Sequence, residues 1–504
     1  DKLKRGMAPQ DENTARLLTS EYIHLVRLIM ADFLKFASNP TQTEPLPNAA
    51  CAQCGWRDHC QQSWEDQDHV CLVANIRNDQ IAKLKKSKIT TMRGLADYTG
   101  EVTGVGVMNK LKAQARLQSN PRDSDGELRI ELQPQPATVG NLVKAAGFGL
   151  LPEPDPGDLY FDMEGFPHET GGLEYLFGVG YVLPSASPVT QAQLKFIPFW
   201  AHNRQEEKVA FEGFMDFIED HLRKHPKAHI YHYAAYEKTA IQRLSSLHDT
   251  RTELRDRLLR EGRLVDLYRV VSSGLVLAVP SYSIKKVEAY YRGARQGVVA
   301  NAGQSIVMYE AFRETIDGVE KAQLLSDIES YNKDDVESTW QLHQWLESLR
   351  PENVPRFTPA TQETADQAKT AAQVEREEAE AKSRAALIAW LSQQPSQQKD
   401  NANKVAELLG QLLGFYWRCA LPGVWRHYQR QSCDESELLD DMECLANLAR
   451  MEDVTTENKS RRYYYRVPYQ DTKLATGSSV TCLNDDQPVS NFEYVPEQHK
   501  VSFT

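Results

Sequence analysis

The chain has 504 residues, and 70 Asp plus Glu outnumber 58 Lys plus Arg to give a formal charge of −12. That balance excludes a uniformly basic coat for nucleic acid but leaves room for local basic stripes. No apolar run approaches a membrane span, no signal peptide opens the chain, and eight cysteines are too few for a disulfide scaffold at this length. The expected setting is a reducing cytoplasm with no membrane partner.

Residues 1–72 read as helical ("EYIHLVRLIMADFLKFA") and end in "CAQCGWRDHC". The opening "DKLKRGMAPQ" has no Met at its head, so the chain is expected to be a fragment. Cys51, Cys54 and Cys60 have the spacing C-x2-C-x5-C, and three thiolates this close point to a bound metal. A tetrahedral or cubane site needs a fourth ligand. Zinc completed by His59 or His69 stands open beside an iron–sulfur cluster. Cys71, in "HVCLVANI", reads as simply buried.

Residues 73–135 contain two helix pairs with a Gly-x-Gly turn at Gly104 and Gly106. They look like helix-hairpin-helix elements, in which a glycine turn lets backbone N–H groups face a phosphate, although plain helical packing accounts for them equally well. Basic stripes occur at "KLKKSK" (83–88) and "KSRRYYYR" (459–466), the second interleaved with aromatics. A Pro- and Asp-rich linker is expected at 136–156. Residues 157–350 then read strand ("LYFDMEGF"), strand ("LEYLFGVGYVL"), strand ("QLKFIPFWA"), helix, strand ("AHIYHY"), helix. Residues 351–455 read as helical, with a Glu/Ala/Gln-rich solvated stretch at 361–385, and 456–504 as a small β region. The fold class is α/β multidomain: a central mixed sheet flanked by helices, a helical N-terminal region with the Cys cluster, and a small C-terminal all-β region.

"LYFDMEGF" places two acids one residue apart. Alternation puts Leu159, Phe161 and Met163 on one face of a strand and Tyr160, Asp162 and Glu164 on the other. Two carboxylates so close repel unless a proton or a cation lies between them, or unless the face is merely solvated. Three further residues join them in order. Glu237 starts the helix after "YHYAAY", and Tyr331 and Asp335, four apart, share one face of "DIESYNKDDVESTWQLHQWL". Asp334 lies about 100° round that helix and is expected outside the set. Asp266, in "LVDLY", reads as structural, and His232 as a packed strand residue.

This ordered set resembles the DEDD exonucleases of the tyrosine subgroup. The chain is most similar to the ribonuclease H-like nuclease module of bacterial RecB-like nuclease–helicase proteins, through "YFDMEG", "YHYAAYEKTA", "LVDLYRVV", "YSIKKVEAYY", "SIVMYE" and "YNKDDVEST". The resemblance covers about 157–350, and more weakly the flanking regions. It implies a two-metal-ion 3′–5′ exonuclease using Mg²⁺ or Mn²⁺. Asp162 would bridge both ions, Glu164 and Asp335 would hold the nucleophile's site, Glu237 would support the second ion through waters, and Tyr331 would orient the attacking water. Glu237 stands where the general pattern has aspartate.

The cysteine spacing is similar to the C-terminal part of the [4Fe–4S] staple of RecB-like nucleases, whose fourth cysteine lies far upstream. No cysteine precedes Cys51 here. "DKLKR" looks like the tail of the RecB-type Asp-x-Lys motif with altered spacing, so no second nuclease site is assigned, and 1–72 reads as a remnant of that domain. No P-loop motif occurs, whereas relatives carry a superfamily 1 helicase beyond this point. The implied partners are DNA, as single-stranded ends, and that helicase, in the same polypeptide or as a partner, in repair or phage defence. The alternative is a catalytically silent nucleic-acid-binding platform for the helicase.

Overall fold

The computed structural model describes residues 19–40, 44–48, 51, 54–102, 108–133, 146–183, 193–293, 295, 302–358, 371–395, 398–433, 438–439, 441–457, 460–468, 470, 472–483 and 487–504. The chain divides into two compact units, Asp1–Gln67 and Asp68–Thr504. The Gly104/Gly106 turn, the opening "DKLKR" and residues 136–145 of the expected linker lie outside the described residues.

In the first unit, α1 (Thr19–Ser38) and α2 (Arg57–Asp66) are the described helices. Trp64 is its buried anchor, and the indole N–H donates to Pro45 O at 3.0 Å.

The second unit begins with three helices, α3 (Asn78–Lys86), α4 (Met92–Ala96) and α5 (Met108–Ser119), and a short strand β1 (Ile130–Leu132). Its centre is a five-stranded sheet built from β2 (Leu159–Phe166), β3 (Leu173–Leu183), β4 (Gln193–Trp200), β5 (Ile230–His232) and β6 (Leu264–Asp266). The strand order is β4-β3-β2-β5-β6. The first three strands are antiparallel neighbours, and β5 and β6 run parallel to β2. The sheet is therefore mixed, with β2 in the middle. Antiparallel β2-β3-β4 needs only short turns, while parallel β5 needs a crossover. Helix α6 (Arg204–Lys224) supplies it.

The two faces of β2 do what their alternation dictates. Leu159, Phe161 and Met163 enter a core with Phe177, Phe211, Phe214 and Ile218. Phe161 and Phe214 stack with ring centroids 4.5 Å apart, and each fully buried ring contributes roughly 1.5–3 kcal/mol of apolar transfer. Helix α6 can present this stripe because its apolar residues recur at three and four, and Asn203 caps it by accepting the N–H groups of Gln205 and Glu206. On the opposite face, Tyr160 packs with Val336, Leu342 and Leu346.

After β5 come α7 (Tyr236–Leu247) and α8 (Thr252–Arg260), and after β6 come α9 (Leu267–Gly274), β7 (Leu275–Leu277) and α10 (Ile284–Val287). Strand β7 pairs with β1, apart from the main sheet. Helix α11 (Ala302–Glu314) precedes α12 (Gly318–Leu349), which lies on β2 and β3. Asp317 caps α12, and its buried positions Ile328, Tyr331, Asn332, Asp335, Thr339, Leu342 and Leu346 follow the helical repeat. Polar residues occupy the middle of that stripe and apolar ones its ends.

Among the described residues, α13 (Ala371–Ser392), α14 (Lys399–Leu412) and α15 (Phe415–Ser432) follow. A four-stranded antiparallel sheet of order β12-β13-β9-β8 closes the chain, with β8 (Ala449–Glu457), β9 (Ser460–Arg466), β12 (Glu493–Val495) and β13 (Lys500–Phe503), beside the short pair β10 (Val480–Thr481) and β11 (Pro488–Val489). Strand β8 starts ahead of the β boundary expected at 456. Its "ARMEDVTTE" has no clean apolar alternation, and its strand form comes from pairing with β9. No described helix is long and apolar enough to cross a membrane.

Candidate metal centre

Asp162 and Glu164 leave the α12 face of β2, and Asp335 approaches from α12. One carboxylate oxygen from each lies within 4.8 Å of the others, and among the described residues this is the one group of three or more such ligands that gathers so closely. Three carboxylates held this near repel strongly, so the set needs protons or cations.

Neighbouring side chains fix each acid. Asn332 Nδ2 donates to Asp162 Oδ2 at 2.7 Å, and the Ser305 hydroxyl donates to Glu164 Oε2 at 2.6 Å. Ser305 is itself held by the Tyr175 hydroxyl at 2.6 Å. Arg295 pairs with Asp335 at 2.6 Å and also grips Glu288. Lys285 Nζ donates to the Tyr331 hydroxyl and lies 4.4 Å from the Tyr331 ring centre. Tyr331 thus borders the acids with its oxygen already engaged by a cation.

Burial drives the electrostatics. It pushes the Asp162 carboxyl well above the carboxylate range, and the charges of Asp335, Glu164 and Glu237 add to the rise. Burial likewise pushes Glu164 up to about 8, with Asp335 adding and the Ser305 bond opposing. Asp335 is raised by burial against the pull of Arg295 and Lys285. All three shifts have the sign expected where a divalent cation is the missing counter-charge. Hard oxygen donors gathered in this way fit a divalent cation.

Glu237 lies outside the 4.8 Å set. It is buried at the first turn of α7, with His232 Nδ1 3.5 Å from Oε2. Its charge still reaches Asp162. The β5–α7 turn that carries it holds Ala234 in the left-handed region at φ 73°. Asp266 Oδ1 accepts the Ala234 N–H at 2.8 Å and also caps α9 through the Tyr268 N–H, so Asp266 is a turn-holding residue. His232 is wholly buried, with Nδ1 2.8 Å from Ala234 O. Asp334 faces Arg292 and Arg295 rather than the acids.

Sequence reasoning gave no role to Asn332, Ser305, Lys285 or Arg295. Asn332 was findable, because it stands three residues before Asp335 on the same helix face. Lys285 and Ser305 lie inside the quoted segments "YSIKKVEAYY" and "SIVMYE", but nothing local ties them to the acids.

A cleft of about 530 Å³ opens on the acids, and its lining includes Asp162, Glu164, Gly165, Phe166, Glu174, Tyr236, Arg243, Ile306, Tyr331 and Asp335. The volume is that of a small-ligand site.

The cysteine cluster behaves differently. Cys51, Cys54 and Cys60 are free thiols, with Cys54 exposed and the other two half-buried. His69 is buried, and its Nδ1 accepts the Cys71 N–H at 3.2 Å.

A family model described as the RNase_H superfamily matches residues 159–347. The matched span begins with β2 and ends within α12, so it contains the whole acid set. No curated protein and no solved structure matches the chain. Residues 159–347 therefore resemble an RNase H-like domain in both sequence and fold.

Proposed function

We propose that the protein is a divalent-metal-dependent exonuclease that removes nucleotides from the 3′ ends of single-stranded DNA. One observation carries this reading: Asp162, Glu164 and Asp335 gather within 4.8 Å on an RNase H-like sheet, at the mouth of a cleft. Bound divalent cations would supply a water of lowered pKa and neutralise charge on the leaving oxygen. The chain's own residues prepare for that. Asp162, Glu164 and Asp335 would hold the metal. Asn332 and Ser305 stop the Asp162 and Glu164 carboxylates from rotating. Tyr331 would hold a water beside Glu164 and Asp335, and Lys285 fixes the phenol for that purpose. Glu237, one methylene longer than the aspartate of the general pattern, would act on a second ion through waters.

In this reading the domain is the nuclease part of a nuclease–helicase in DNA repair or phage defence, with a superfamily 1 helicase in the same polypeptide or as a partner. Cys51, Cys54 and Cys60 would bind a [4Fe–4S] cluster. A second reading, a catalytically silent binding platform, draws on the Arg295–Asp335 ion pair, which gives one acid a protein counter-charge.

Labelled single-stranded DNA and RNA, each marked at the 3′ or the 5′ end and incubated with Mg²⁺ or Mn²⁺, test the proposal. The expected result is immediate release of a 3′ label and a shortening ladder from a 5′ label, abolished by EDTA and by Asp162→Ala. Undiminished cleavage by Asp162→Ala, or full activity in EDTA, would overturn it, and binding without cleavage would establish the platform. Iron, sulfide and zinc analysis of the same anaerobic preparation tests the cysteine site, for which iron with sulfide is expected.

A further inference from the structure

The cleft does not end at the acids. Beyond Gly165 it is bounded by Glu174, Tyr236 and Arg243. Gly165 makes this extension possible, because a Cβ there would stand 2.4 Å from the Tyr236 hydroxyl and 2.5 Å from Glu174 Oε2. Glu174 is buried and has both oxygens committed: the Tyr236 hydroxyl donates to Oε2 at 2.8 Å, and Arg243 Nη2 donates to Oε1. The backbone N–H of Glu174 is in turn held by Glu207 at 2.7 Å. The Arg243 guanidinium is thus fixed by one edge. Its side chain lines the cleft with 36% of its surface still open to solvent. A guanidinium edge at the wall of a cleft can take an anion, and its planar fork matches the oxygens of a phosphate.

The acids bind phosphate only through cations, whereas Arg243 can meet it directly. Phe166 and Ile306, also in the lining, supply apolar surface suited to a sugar or a base.

We infer that Arg243 is a phosphate subsite one or more nucleotides from the cleaved bond, so that the substrate is a strand with at least two phosphates lying across the cleft. This rests on the nuclease reading. Arg243 positions the strand and has no part in bond breaking. A mononucleotide ester would reach the acids without touching it.

The test is fluorescence anisotropy of a labelled ten-residue oligothymidylate in Ca²⁺, over a range of KCl concentrations, with wild type, Arg243→Ala, Arg243→Lys and Glu174→Gln. Arg243→Ala should weaken binding about tenfold, as expected for one charge-assisted bond. It should also lower the log–log salt slope by about 0.7, the share of one phosphate contact on a single strand. Arg243→Lys should restore the slope but only part of the affinity, because an ammonium keeps the charge and loses the fork. Glu174→Gln removes a nearby negative charge and should keep the slope. If Arg243 merely braces Glu174, then Arg243→Ala and Glu174→Gln will weaken binding alike with unchanged slopes, and the subsite is overturned. Wild-type cleavage of the same oligonucleotide in Mn²⁺ separates the two claims. A failed subsite shows as equal slopes with cleavage intact, and a failed nuclease reading as no cleavage by wild type.

Discussion

Asn332 is wholly buried, and it links α12 to the acid strand by donating to Asp162. It fits only because Gly178, the residue paired with Asp162 on β3, has no side chain. A Cβ at Gly178 would stand 1.7 Å from Asn332 Oδ1 and 2.8 Å from Phe196. Gly178→Ala should therefore destabilise the protein by about 1–3 kcal/mol, the usual cost of overpacking, and should lower its Mn²⁺ affinity because Asn332 must release Asp162. Urea denaturation and a metal titration check the two effects, and an unchanged affinity would mean that Asn332 does not set the acid geometry. The acid pair itself was legible, because strand alternation alone puts Asp162 and Glu164 on one face. Ser305 was not, since it meets Glu164 across 141 residues and only the tertiary fold creates that contact.

At the scale of elements, α12 places the third acid, and its far end has its own lock. Arg356, on the chain leaving the helix, grips Glu347 through two bonds of 2.8 and 2.7 Å and also donates to Pro152 O. Burial pushes the Glu347 carboxyl up, but His343 and Arg356 outweigh it and hold it at about 2. A carboxyl held below its unfolded value stabilises the fold above that value, and the contribution is lost as pH falls from about 4.5 towards 2. The shift corresponds to roughly 2–3 kcal/mol after allowing for partial solvent access. Glu347→Gln should lose about that much stability at pH 7 and show a flatter stability curve between pH 5 and pH 2. Denaturant unfolding across that range measures it, and curves parallel to wild type would refute the assignment. The strands of the main sheet and both long helices were legible because their apolar periods are clean. Strand β8 was not, because pairing with β9 rather than its own pattern makes it a strand.

At the scale of the whole molecule, the site is a product of topology. Antiparallel β2-β3-β4 puts the first strand at the centre of the sheet, and α12, formed over 150 residues later, crosses back onto it. The order of strands and helices suggested the sheet, and it was the resemblance to DEDD exonucleases that joined Asp335 to Asp162 and Glu164. Sequence order gave no means of placing Glu237 relative to them, because its position depends on the left-handed turn at Ala234 and on the His232 contact. The central claim is that the three acids bind metal. Calorimetric titration of Mn²⁺ into metal-stripped wild type and Asp162→Asn tests it most directly. Two bound ions in the wild type are predicted, together with loss of binding in the variant and an unchanged circular dichroism spectrum. Equal binding by both proteins would contradict the account.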